Sequence, residues 1–408
     1  MQCGLLGRKL SHSYSPQIHS MLADYNYKLY ETEPESLACF LQTGDFTGLN
    51  VTIPYKKAVI PYCDTLSDRA AALGAINTLV RRDGKLIGHN TDYYGFKSMV
   101  EKCSVSVSGK KALVLGSGGA GATVTKVLED MDADVIVISR TGSNHYGNLN
   151  LHSDASVIVN ATPVGMYPDV DACPIDITIF PQLECVLDLI YNPSNTRLIQ
   201  AAQARNIPCE NGLWMLVAQA KESAEWFTGR QIPDEAIGRI YRAIRARMEN
   251  VVLIGMPGCG KTTIGKVLAA KLDKSFIDTD KEIERRAQMA IPEIFEKHGE
   301  AYFRQLETAV IAQISKESGS VIATGGGCVI QPENYPYLHQ NGTIVWLQRD
   351  LSLLSTEGRP LSQSNRLVDL YAAREPLYAA FSDIRIDNNG SCANTVTQIL
   401  EYLQEVYQ

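Results

Sequence analysis

Residues 250–265 read NVVLIGMPGCGKTTIG, and this stretch decides the fold of the C-terminal part of the chain. A strand-like apolar run leads into Gly255, Gly260, Lys261 and Thr262, which fit the phosphate-binding spacing G-x-x-x-x-G-K-[ST]. The glycines let backbone N–H groups approach phosphate oxygens, Lys261 adds positive charge, and the Thr262 hydroxyl is a ligand for Mg²⁺. We therefore predict a P-loop between a strand and a helix. The residues predicted to hold the nucleotide are Gly258, Cys259, Gly260, Lys261, Thr262 and Thr263.

The composition of the 408-residue chain is that of an ordinary globular protein, with 45% hydrophobic and 20% charged residues. The net charge is −7 and neither half of the chain is basic, which argues against nucleic acid or an anionic membrane as a partner. The ten cysteines include no CxxC pair, and no apolar stretch approaches the length of a membrane span. We therefore expect a cytoplasmic protein with reduced thiols.

Short apolar runs alternate with helix-like patterns along the chain, which predicts βα units, mostly parallel sheets and an α/β fold. We expect three domains: an α/β domain over residues 1–102, completed by the helices of about 212–247; a Rossmann-like domain over 103–211; and a P-loop domain with a parallel sheet over 250–408. Residues 233–247 predict a helix with proline at its start and arginine in its last turns.

A second glycine loop occurs in the stretch KKALVLGSGGAGAT, residues 110–123, where Gly116, Gly118 and Gly121 fit the dinucleotide spacing G-x-G-x-x-G. The next strand-like run ends in Ser-Arg-Thr at 139–141, and an arginine at this place accommodates a 2′-phosphate, which favours NADP over NAD. The residues predicted to hold this cofactor are Gly116, Ser117, Gly118, Gly119, Ala120, Gly121, Ser139, Arg140, Thr141 and Gly212.

The connection after this arginine is short. Residues 141–155, TGSNHYGNLNLHSDA, have little helical periodicity and are too few for a full crossover helix between parallel strands. We therefore expect a cofactor domain that is trimmed on its adenosine side.

Polar side chains cluster in three stretches of the first hundred residues. In SHSYSPQIH, residues 11–19, we expect Ser13 and Ser15 on one side of an extended segment, with Ser15 as N-cap of a helix and Pro16 at its first position. Two hydroxyls beside a helix N-terminus form a natural site for a carboxylate. On its own, such a serine is more often only a cap.

The other two stretches carry a lysine and an aspartate. GLNVTIPYKK, residues 48–57, places Asn50 and Thr52 on one strand face and predicts a helix from Pro54 with Lys56 in its first turn. GAINTLVRRDGKLIGHNTD, residues 74–92, predicts a hairpin turning at Asp83-Gly84. Its first arm carries Asn77, and Asp92 lies just past its second arm. An isolated lysine or aspartate in such places is usually a surface residue or a cap.

Together with NATPVGM (160–166), DLIYNPSNT (188–196) and NGLWMLVAQA (211–220), these stretches resemble shikimate dehydrogenase from residue 2 to about 245. The resemblance implies NADPH-dependent reduction of 3-dehydroshikimate to shikimate, with Lys56 and Asp92 as the catalytic pair. A lysine beside a carboxylate can stabilise a developing oxyanion and relay a proton, and the residues leave open which of the two donates it. The substrate contacts that it implies are Ser13, Ser15, Thr52, Asn77, Asp92, Tyr191 and Gln219, and Asn50 joins them from the strand face of Thr52.

Beyond the P-loop, FIDTD at 276–280 places Asp278 and Asp280 at the end of an apolar run, where we expect them two residues apart on a strand and pointing the same way. One can then act on magnesium and the other on an acceptor hydroxyl. The later motifs are GEAYFRQLE (299–307), ATGGG (323–327), GRPL (358–361) and REPLY (374–378).

These motifs resemble shikimate kinase from residue 250 to about 406. The resemblance implies that MgATP phosphorylates shikimate, with Lys261, Asp280 and a lid residue, Arg359, as catalytic groups and with Thr262 and Asp278 at the metal. The residues that it implies for shikimate binding are Asp280, Arg304, Gly325, Gly326, Gly327 and Arg374. The lid stretch is shorter than is usual for the family, and a second lid arginine stays unassigned.

These interpretations combine into a bifunctional enzyme of the shikimate pathway, acting on the small molecules 3-dehydroshikimate and shikimate. Two alternatives stay open: a first half that acts on quinate, with NAD in place of NADP, and a ligand-sensing regulator without catalysis. Arg140 argues against NAD, and the presence of Lys56, Asp92, Lys261 and Asp280 argues against the regulator. The residues carry no indication of the oligomeric state.

Overall fold

The computed structural model describes residues 1–10, 13–354 and 364–407, including all their side chains except those of 364–366. It divides into two compact units. The first comprises Met1–Tyr191 with Leu198–Ile244, and the second comprises Asn192–Arg197 with Arg245–Gln408. Helices alternate with mostly parallel strands in both units, which confirms the predicted α/β fold. No helix in the described ranges is long and apolar enough to cross a membrane.

The first unit begins with a mixed sheet of six strands in the order β2–β1–β3–β5–β6–β4. Its strands are β1 (Gln2–Gly7), β2 (Asn26–Glu31), β3 (Gly48–Val51), β4 (Thr65–Leu66), β5 (Thr78–Arg82) and β6 (Lys85–His89). Its helices are α1 (Ser15–Leu22), α2 (Leu37–Thr43), α3 (Asp68–Leu73) and α4 (Asp92–Lys102). The antiparallel pair β5–β6 turns at Asp83 and Gly84, both with positive φ, as the predicted hairpin requires.

A second, wholly parallel sheet follows in the same unit, in the order β11–β10–β9–β7–β8. Its strands are β7 (Lys111–Leu115), β8 (Asp134–Ile138), β9 (Val157–Asn160), β10 (Cys185–Asp188) and β11 (Cys209–Asn211). The helices are α5 (Gly119–Asp130), α6 (Arg197–Ala204), α7 (Leu213–Thr228) and α8 (Glu235–Met248), the last at the helix predicted from 233–247. The interior strand β7 is buried from Ala112 to Leu115, which is why its sequence is continuously apolar.

The predicted shortening of the crossover between β8 and β9 is confirmed. In place of an α-helix, this connection contains only a 3₁₀ helix at Tyr146–His152. It is pinned by short-range hydrogen bonds, among them one from the backbone N–H of Gly147 to the His145 ring at 3.1 Å.

The second unit is built on a parallel sheet in the order β13–β14–β12–β15–β16. The strands are β12 (Asn250–Ile254), β13 (Ser275–Asp278), β14 (Ser320–Ala323), β15 (Gly342–Gln348) and β16 (Ile384–Asp387). The helices are α9 (Lys261–Leu272), α10 (Thr279–Ala287), α11 (Ile291–Ile314), α12 (Asn334–His339), α13 (Ser364–Phe381) and α14 (Cys392–Val406). Residues Val251–Ile254 of the central strand are fully buried, so the glycine loop that follows starts from a rigid base.

The prediction of a helix that starts at Pro54 is wrong. Residues 53–59 form successive turns instead. The carbonyl of Lys56, which a helix would offer to an amide one turn later, accepts a hydrogen bond from the backbone N–H of Ile76 at 2.8 Å. This tertiary hydrogen bond holds Lys56 without a helix.

Two further local predictions need correction. The N-cap of α1 is Tyr14, not Ser15, and Tyr14 has helical φ and ψ, so the segment from Ser13 to Ser15 is not extended. The strand predicted to run through Asp280 ends at Asp278. There the Asp278 carboxylate caps α10 by accepting hydrogen bonds from the backbone N–H groups of Asp280 (3.2 Å) and Lys281 (3.4 Å), and Asp280 lies in the first helical turn.

Candidate active sites

The first unit contains a cavity of about 270 Å³ that gathers every substrate contact predicted for this half. The lining residues are Leu5, Ser13, Ser15, Asn50, Val51, Thr52, Lys56, Asn77, Asp92, Ala120, Leu189, Tyr191, Gly212, Met215, Leu216 and Gln219. Strands, turns and helices far apart in the chain converge here, because β3, β5 and the start of α4 all reach the same region. The apolar members Leu5, Val51, Leu189, Met215 and Leu216 were not predicted, since nothing in the sequence distinguishes them from core residues.

A lysine and an aspartate form the charged centre of this cavity. The Nζ atom of Lys56 lies 2.6 Å from Oδ2 of Asp92, and Asn77 donates to the other carboxylate oxygen at 2.9 Å. Asp92 is also the first residue of α4, where the positive end of the helix dipole stabilises a carboxylate. Both oxygens of Asp92 are therefore held in position by neighbouring side chains.

A small amide network orients this pair. Asn77 accepts a hydrogen bond from the backbone N–H of Thr91 (2.7 Å), which fixes its oxygen and directs its amino group to Asp92. Gln219 donates to the carbonyl of Leu216 at 2.9 Å, and its side-chain oxygen lies 3.5 Å from the Asn77 amino group. Gln219 is thus a partner of the network and not a solvent-facing residue. Thr91 was missed, although it directly precedes the predicted Asp92.

Hydroxyl groups line another part of the cavity. The hydroxyl oxygen of Ser13 accepts a hydrogen bond from the backbone N–H of Ser15 at 3.2 Å. Burial raises the pKa of Tyr191, so its phenol stays neutral and able to donate. Asn50 accepts a hydrogen bond from the hydroxyl of Tyr27 at 2.8 Å, a contact that the sequence did not indicate. The side chains around the Lys56–Asp92 pair are therefore neutral hydrogen-bonding groups and apolar groups.

The glycine loop between β7 and α5 borders the same cavity, which Ala120 lines. Gly116 has a φ of 106°, and a Cβ at Gly121 would lie 2.0 Å from the Gly116 carbonyl oxygen, so α5 can start this close to the strand only with glycine. A Cβ at Gly118 or Gly119 would meet open space. Open backbone at a helix N-terminus suits the pyrophosphate of a dinucleotide.

The residues expected at the 2′-phosphate follow the neighbouring strand β8. Since the backbone N–H of Gly116 donates to the carbonyl of Ile138 at 2.8 Å, this loop starts at the same sheet edge as the glycine loop. Arg140 is exposed there. The Ser139 hydroxyl donates to the Thr141 carbonyl, which holds the loop that presents the guanidinium.

The second unit contains a separate cavity of about 350 Å³ around the P-loop. Its lining residues are Pro257, Gly258, Gly260, Lys261, Thr262, Thr263, Asp278, Asp280, Thr324 and Gly326. Pro257 and Thr324 were not predicted, and Cys259 points into the core instead. The ammonium of Lys261 donates to the carbonyls of Gly255 (2.8 Å) and Met256 (3.0 Å). Two carbonyl groups of the P-loop therefore fix the position of the lysine side chain. The φ angles of Gly258 (82°) and Gly260 (98°) require glycine.

The predicted metal-binding pair is brought together at the edge of this cavity. The Thr262 hydroxyl donates to Oδ2 of Asp278 at 2.8 Å. A hydroxyl and a carboxylate are oxygen donors of the kind that Mg²⁺ prefers, with phosphate oxygens and water completing its coordination. The donor set therefore fits magnesium.

Two buried arginines lie against the glycine segment after β14. Arg304 is within 2.8 Å of the Glu307 carboxylate and also pairs with Glu300, and a Cβ at Gly327 would lie 2.5 Å from its guanidinium. Arg374 donates to the carbonyl of Gly326 at 3.0 Å. The predicted binding residues Arg304, Gly325, Gly326, Gly327 and Arg374 are thus neighbours, whereas the predicted Arg359 lies outside the described residues.

The arginines and the nearby carboxylates shift each other's pKa values. Burial raises the pKa of Glu307, although Arg304 opposes the shift. Burial alone would lower the pKa of Arg304, but Glu307 and Glu300 raise it, so the guanidinium stays charged. A Cβ at Gly325 would lie 2.7 Å from Asp280 and 2.8 Å from Glu307, which places both carboxyl groups at the same glycine.

Comparison with known proteins identifies similar families for both units. Residues 5–79 match the family model "Shikimate dehydrogenase substrate binding domain", and residues 257–404 match "Shikimate kinase". The shikimate dehydrogenase (NADP(+)) of Clostridium perfringens is 33% identical over 270 residues, which cover 60% of this chain and 98% of that protein.

Solved structures show the same relationship. The chorismate mutase/shikimate 5-dehydrogenase fusion protein of Clostridium acetobutylicum has 34% identity and a TM-score of 0.57, with 60% of this chain and 96% of that chain covered. The shikimate 5-dehydrogenase of Thermus thermophilus, in complex with NADP(H) and shikimate, has 31% identity and a TM-score of 0.55, with 60% and 99% covered. These matches cover the part of the chain that contains the Lys56–Asp92 cavity.

Proposed function

The chain belongs to the shikimate dehydrogenase family, and we propose that it is a bifunctional enzyme that reduces 3-dehydroshikimate with NADPH and then phosphorylates the resulting shikimate with MgATP. One observation carries this proposal. The chain contains two separate cavities, one around Lys56 and Asp92 and one around Lys261. The first lies in a stretch that matches shikimate dehydrogenase and the second in a stretch that matches shikimate kinase, so both matches concern shikimate. The product of the first site is the substrate of the second.

In the first site, the Lys56–Asp92 pair supplies the proton. NADPH, when bound, supplies a hydride to the ketone carbon. The ammonium of Lys56 stabilises the negative charge that develops on the ketone oxygen, and the pair delivers a proton to that oxygen. Asn77 keeps Asp92 aligned with Lys56 through its 2.9 Å hydrogen bond. Ser13 and Ser15 offer hydroxyls to the substrate carboxylate, and Asn50, Thr52, Tyr191 and Gln219 hold the ring hydroxyls.

The geometry of the glycine loop supports NADPH as the cofactor. The backbone from Gly116 to Gly121 and Gly212 hold the dinucleotide, and Ser139, Arg140 and Thr141 hold the 2′-phosphate. The guanidinium of Arg140 matches a phosphate in charge and in hydrogen-bond geometry. This favours NADPH over NADH and a shikimate dehydrogenase over a quinate enzyme that uses NAD.

In the second site, charged groups surround the transferring phosphoryl group. MgATP, when bound, supplies that group. Gly258–Thr263 bind the phosphates, and Thr262 and Asp278 hold the magnesium. Asp280 accepts the proton of the shikimate hydroxyl, while Arg304 and Arg374 bind the shikimate carboxylate beside Gly325–Gly327. We place the lid residue Arg359 at the developing charge of the phosphoryl group.

The decisive experiment is a single reaction of the purified full chain with 3-dehydroshikimate, NADPH and MgATP, followed by mass spectrometry. We expect shikimate 3-phosphate that forms only when both NADPH and ATP are present. Shikimate without its phosphate would contradict the kinase assignment, and phosphorylation of added shikimate without any reduction would contradict the dehydrogenase assignment. Turnover of neither substrate would support the regulator. Faster reaction with quinate and NAD would replace the proposed specificity of the first site.

A further inference from the structure

A pair of cysteines lies outside both catalytic cavities. Cys103 directly follows the last residue of α4, and Cys185 is the first residue of β10. Their sulfur atoms are 3.3 Å apart. We propose that Cys103 and Cys185 are a thiol modification site that forms a reversible disulfide on exposure to a low-molecular-weight disulfide, and that this bond slows the reaction of the Lys56–Asp92 site.

The two thiols differ in accessibility. Cys185 is 1% exposed, whereas Cys103 is only partly buried. A small oxidant therefore reaches Cys103 first. Cys185 is already in contact with it, so the second step needs only a small displacement. Because a disulfide has an S–S distance of about 2.05 Å, the two sulfurs must approach by roughly 1 Å.

The electrostatics assign the same order of events. The hydrogen bond between the two thiols lowers the pKa of Cys103, and the same bond together with burial raises the pKa of Cys185. Thiolates are the attacking species in disulfide exchange, and Cys103 is the more accessible of the two thiols, so Cys103 is the nucleophile and Cys185 the resolving thiol.

The exchange balances in two steps. The Cys103 thiolate attacks one sulfur of the small disulfide, which forms a mixed disulfide and releases one small thiolate. Cys185 loses its proton and attacks the Cys103 sulfur, which forms the Cys103–Cys185 bond and releases the second small thiolate. The two protons lost by the cysteines protonate the two leaving groups, and the two electrons pass to the small disulfide, which is reduced to two thiols.

The position of the pair connects it to the first cavity. Helix α4 begins at Asp92 and ends at Lys102, directly before Cys103, and strand β10 leads to Leu189 and Tyr191, which line the cavity. A displacement of roughly 1 Å at one end of a rigid helix is felt at its other end. Misplacement of catalytic groups by about 1 Å can cost up to about a hundredfold in rate. This effect on the rate rests on the proposed dehydrogenase function; the disulfide itself does not.

The test treats the reduced full chain with oxidised glutathione, removes the glutathione and maps the peptides without reduction. We expect a Cys103–Cys185 cross-linked peptide, a loss of two hydrogens in the intact mass and full reversal by dithiothreitol. The kcat for 3-dehydroshikimate should fall about threefold or more in the oxidised protein, with the kinase rate unchanged. Cys103→Ser should keep its reduced rate after treatment, and Cys185→Ala should form no cross-linked peptide. Cys63→Ser, which removes a partly buried cysteine elsewhere in the same unit, should respond as the unmodified chain does.

Several results would overturn the proposal. A glutathione adduct that persists on Cys103 without the cross-link, or a bond from Cys103 to Cys209 on the neighbouring strand, would contradict the pairing. A cross-link with an unchanged kcat would contradict the link to the catalytic site. Peptide mapping needs no activity, so a reduced protein that forms the cross-link yet shows no dehydrogenase rate would count against the proposed function and not against the cysteine pair.

Discussion

The two cavities differ in how they place charge. The lining of the first contains a single charged pair, Lys56 and Asp92, among serine, threonine, amide and apolar side chains. The lining of the second contains Lys261, Asp278 and Asp280, and the buried Arg304 and Arg374 lie against its glycine segment. One cavity isolates a pair of opposite charges, whereas the other concentrates charges of both signs.

This difference follows from the chemistry proposed for each cavity. Moving one proton to a ketone oxygen needs one lysine and one carboxylate in fixed geometry, and neutral surroundings keep their interaction strong. Transferring a phosphoryl group needs several cations to balance phosphate charge, and a carboxylate to take a proton. The two cavities share no lining residue, although the polar groups of each come from separate segments of the chain. Single substitutions should therefore separate the two reactions cleanly.

The largest expected effect is that of Asp92→Asn. The amide cannot exchange a proton with Lys56 and loses the 2.6 Å ion pair, so we expect the dehydrogenase kcat to fall about 10²- to 10⁴-fold with the kinase rate unchanged. NADPH consumption and phosphorylation of added shikimate measure the two rates. Asp83→Asn, in the exposed hairpin turn, is the matched control. A decrease of only a fewfold in the dehydrogenase kcat of Asp92→Asn would contradict the claim that the first cavity depends on a single charged pair.

The converse effect is expected for Lys261→Ala. Removing the buried ammonium at the mouth of the P-loop should lower the kinase kcat by about 10²- to 10³-fold, because one preorganised cationic donor is lost. The dehydrogenase rate should stay the same. Lys266→Ala removes an exposed lysine of the same helix and should leave both rates intact. Full kinase activity in Lys261→Ala would contradict the role of this lysine in phosphoryl transfer.

A smaller effect is expected for Arg304→Lys. An ammonium cannot reproduce the two-pronged geometry of the guanidinium, and a hydrogen bond to a charged group contributes about 1.5–3 kcal/mol. We therefore expect the KM for shikimate to rise roughly ten- to hundredfold, with a smaller change in kcat. Arg285→Lys, at an exposed ion pair, should change neither constant. An unchanged KM for shikimate at position 304 would exclude this arginine from substrate binding.

The two glycine loops allow a comparison based on stability. In Gly121→Ala the added Cβ meets the Gly116 carbonyl oxygen, and we expect a loss of about 1–3 kcal/mol in the free energy of unfolding of the first unit. Gly119→Ala points into open space and should be nearly neutral or slightly stabilising. Urea unfolding followed by hydrogen exchange in peptides of each unit measures both. Equal behaviour of the two variants would contradict the close approach of α5 to β7.

A pH dependence is expected from two buried histidines of the first unit. Burial lowers the pKa of His19 to about 3 and that of His89 to about 4, so the folded state keeps both rings neutral while the unfolded chain binds protons below about pH 6.5. The histidine contribution to stability is therefore complete above pH 6.5 and falls as the pH drops towards 4, by at most about 1.4 kcal/mol per pH unit for each histidine. Glu222 opposes it between about pH 7 and 4.5, because burial raises the pKa of that carboxyl to about 7.

Hydrogen exchange at pH 7 and pH 5 checks this effect, with peptides of the second unit as the internal reference. His89→Gln should weaken the pH dependence of the first unit. An equal loss of protection in both units would show that the two buried histidines do not cause it.

Much of the fold was predictable because its signals are local. The strands before both glycine loops are short continuous apolar runs, and the Asp83-Gly84 turn and the missing crossover helix after Arg140 follow from a few adjacent residues. The predictions that failed depend on distant partners. The turns around Lys56 are held by Ile76, and no feature near Pro54 indicates that contact.

The candidate sites show the same limit. Polar residues such as Ser13, Asn77 and Gln219 were found through their motifs, and the structure brings them together, while their catalytic and binding roles stay predictions. Leu5, Met215 and Leu216 were not found, because an apolar residue that lines a cavity has the same pattern as one in the core. Thr91 and Tyr27 act through hydrogen bonds to predicted residues, which only the tertiary structure reveals.

The central claim is that one chain contains two independent active sites that act in succession on the same molecule. The most direct test incubates Asp92→Asn, Lys261→Ala and an equal mixture of the two variants with 3-dehydroshikimate, NADPH and MgATP. We predict that either variant alone forms shikimate 3-phosphate at about 1% or less of the initial rate of the unmodified chain, that shikimate accumulates with Lys261→Ala, and that the mixture restores the formation of shikimate 3-phosphate. Shikimate 3-phosphate formed by either variant alone at a rate near that of the unmodified chain, or no restored formation in the mixture, would contradict the account.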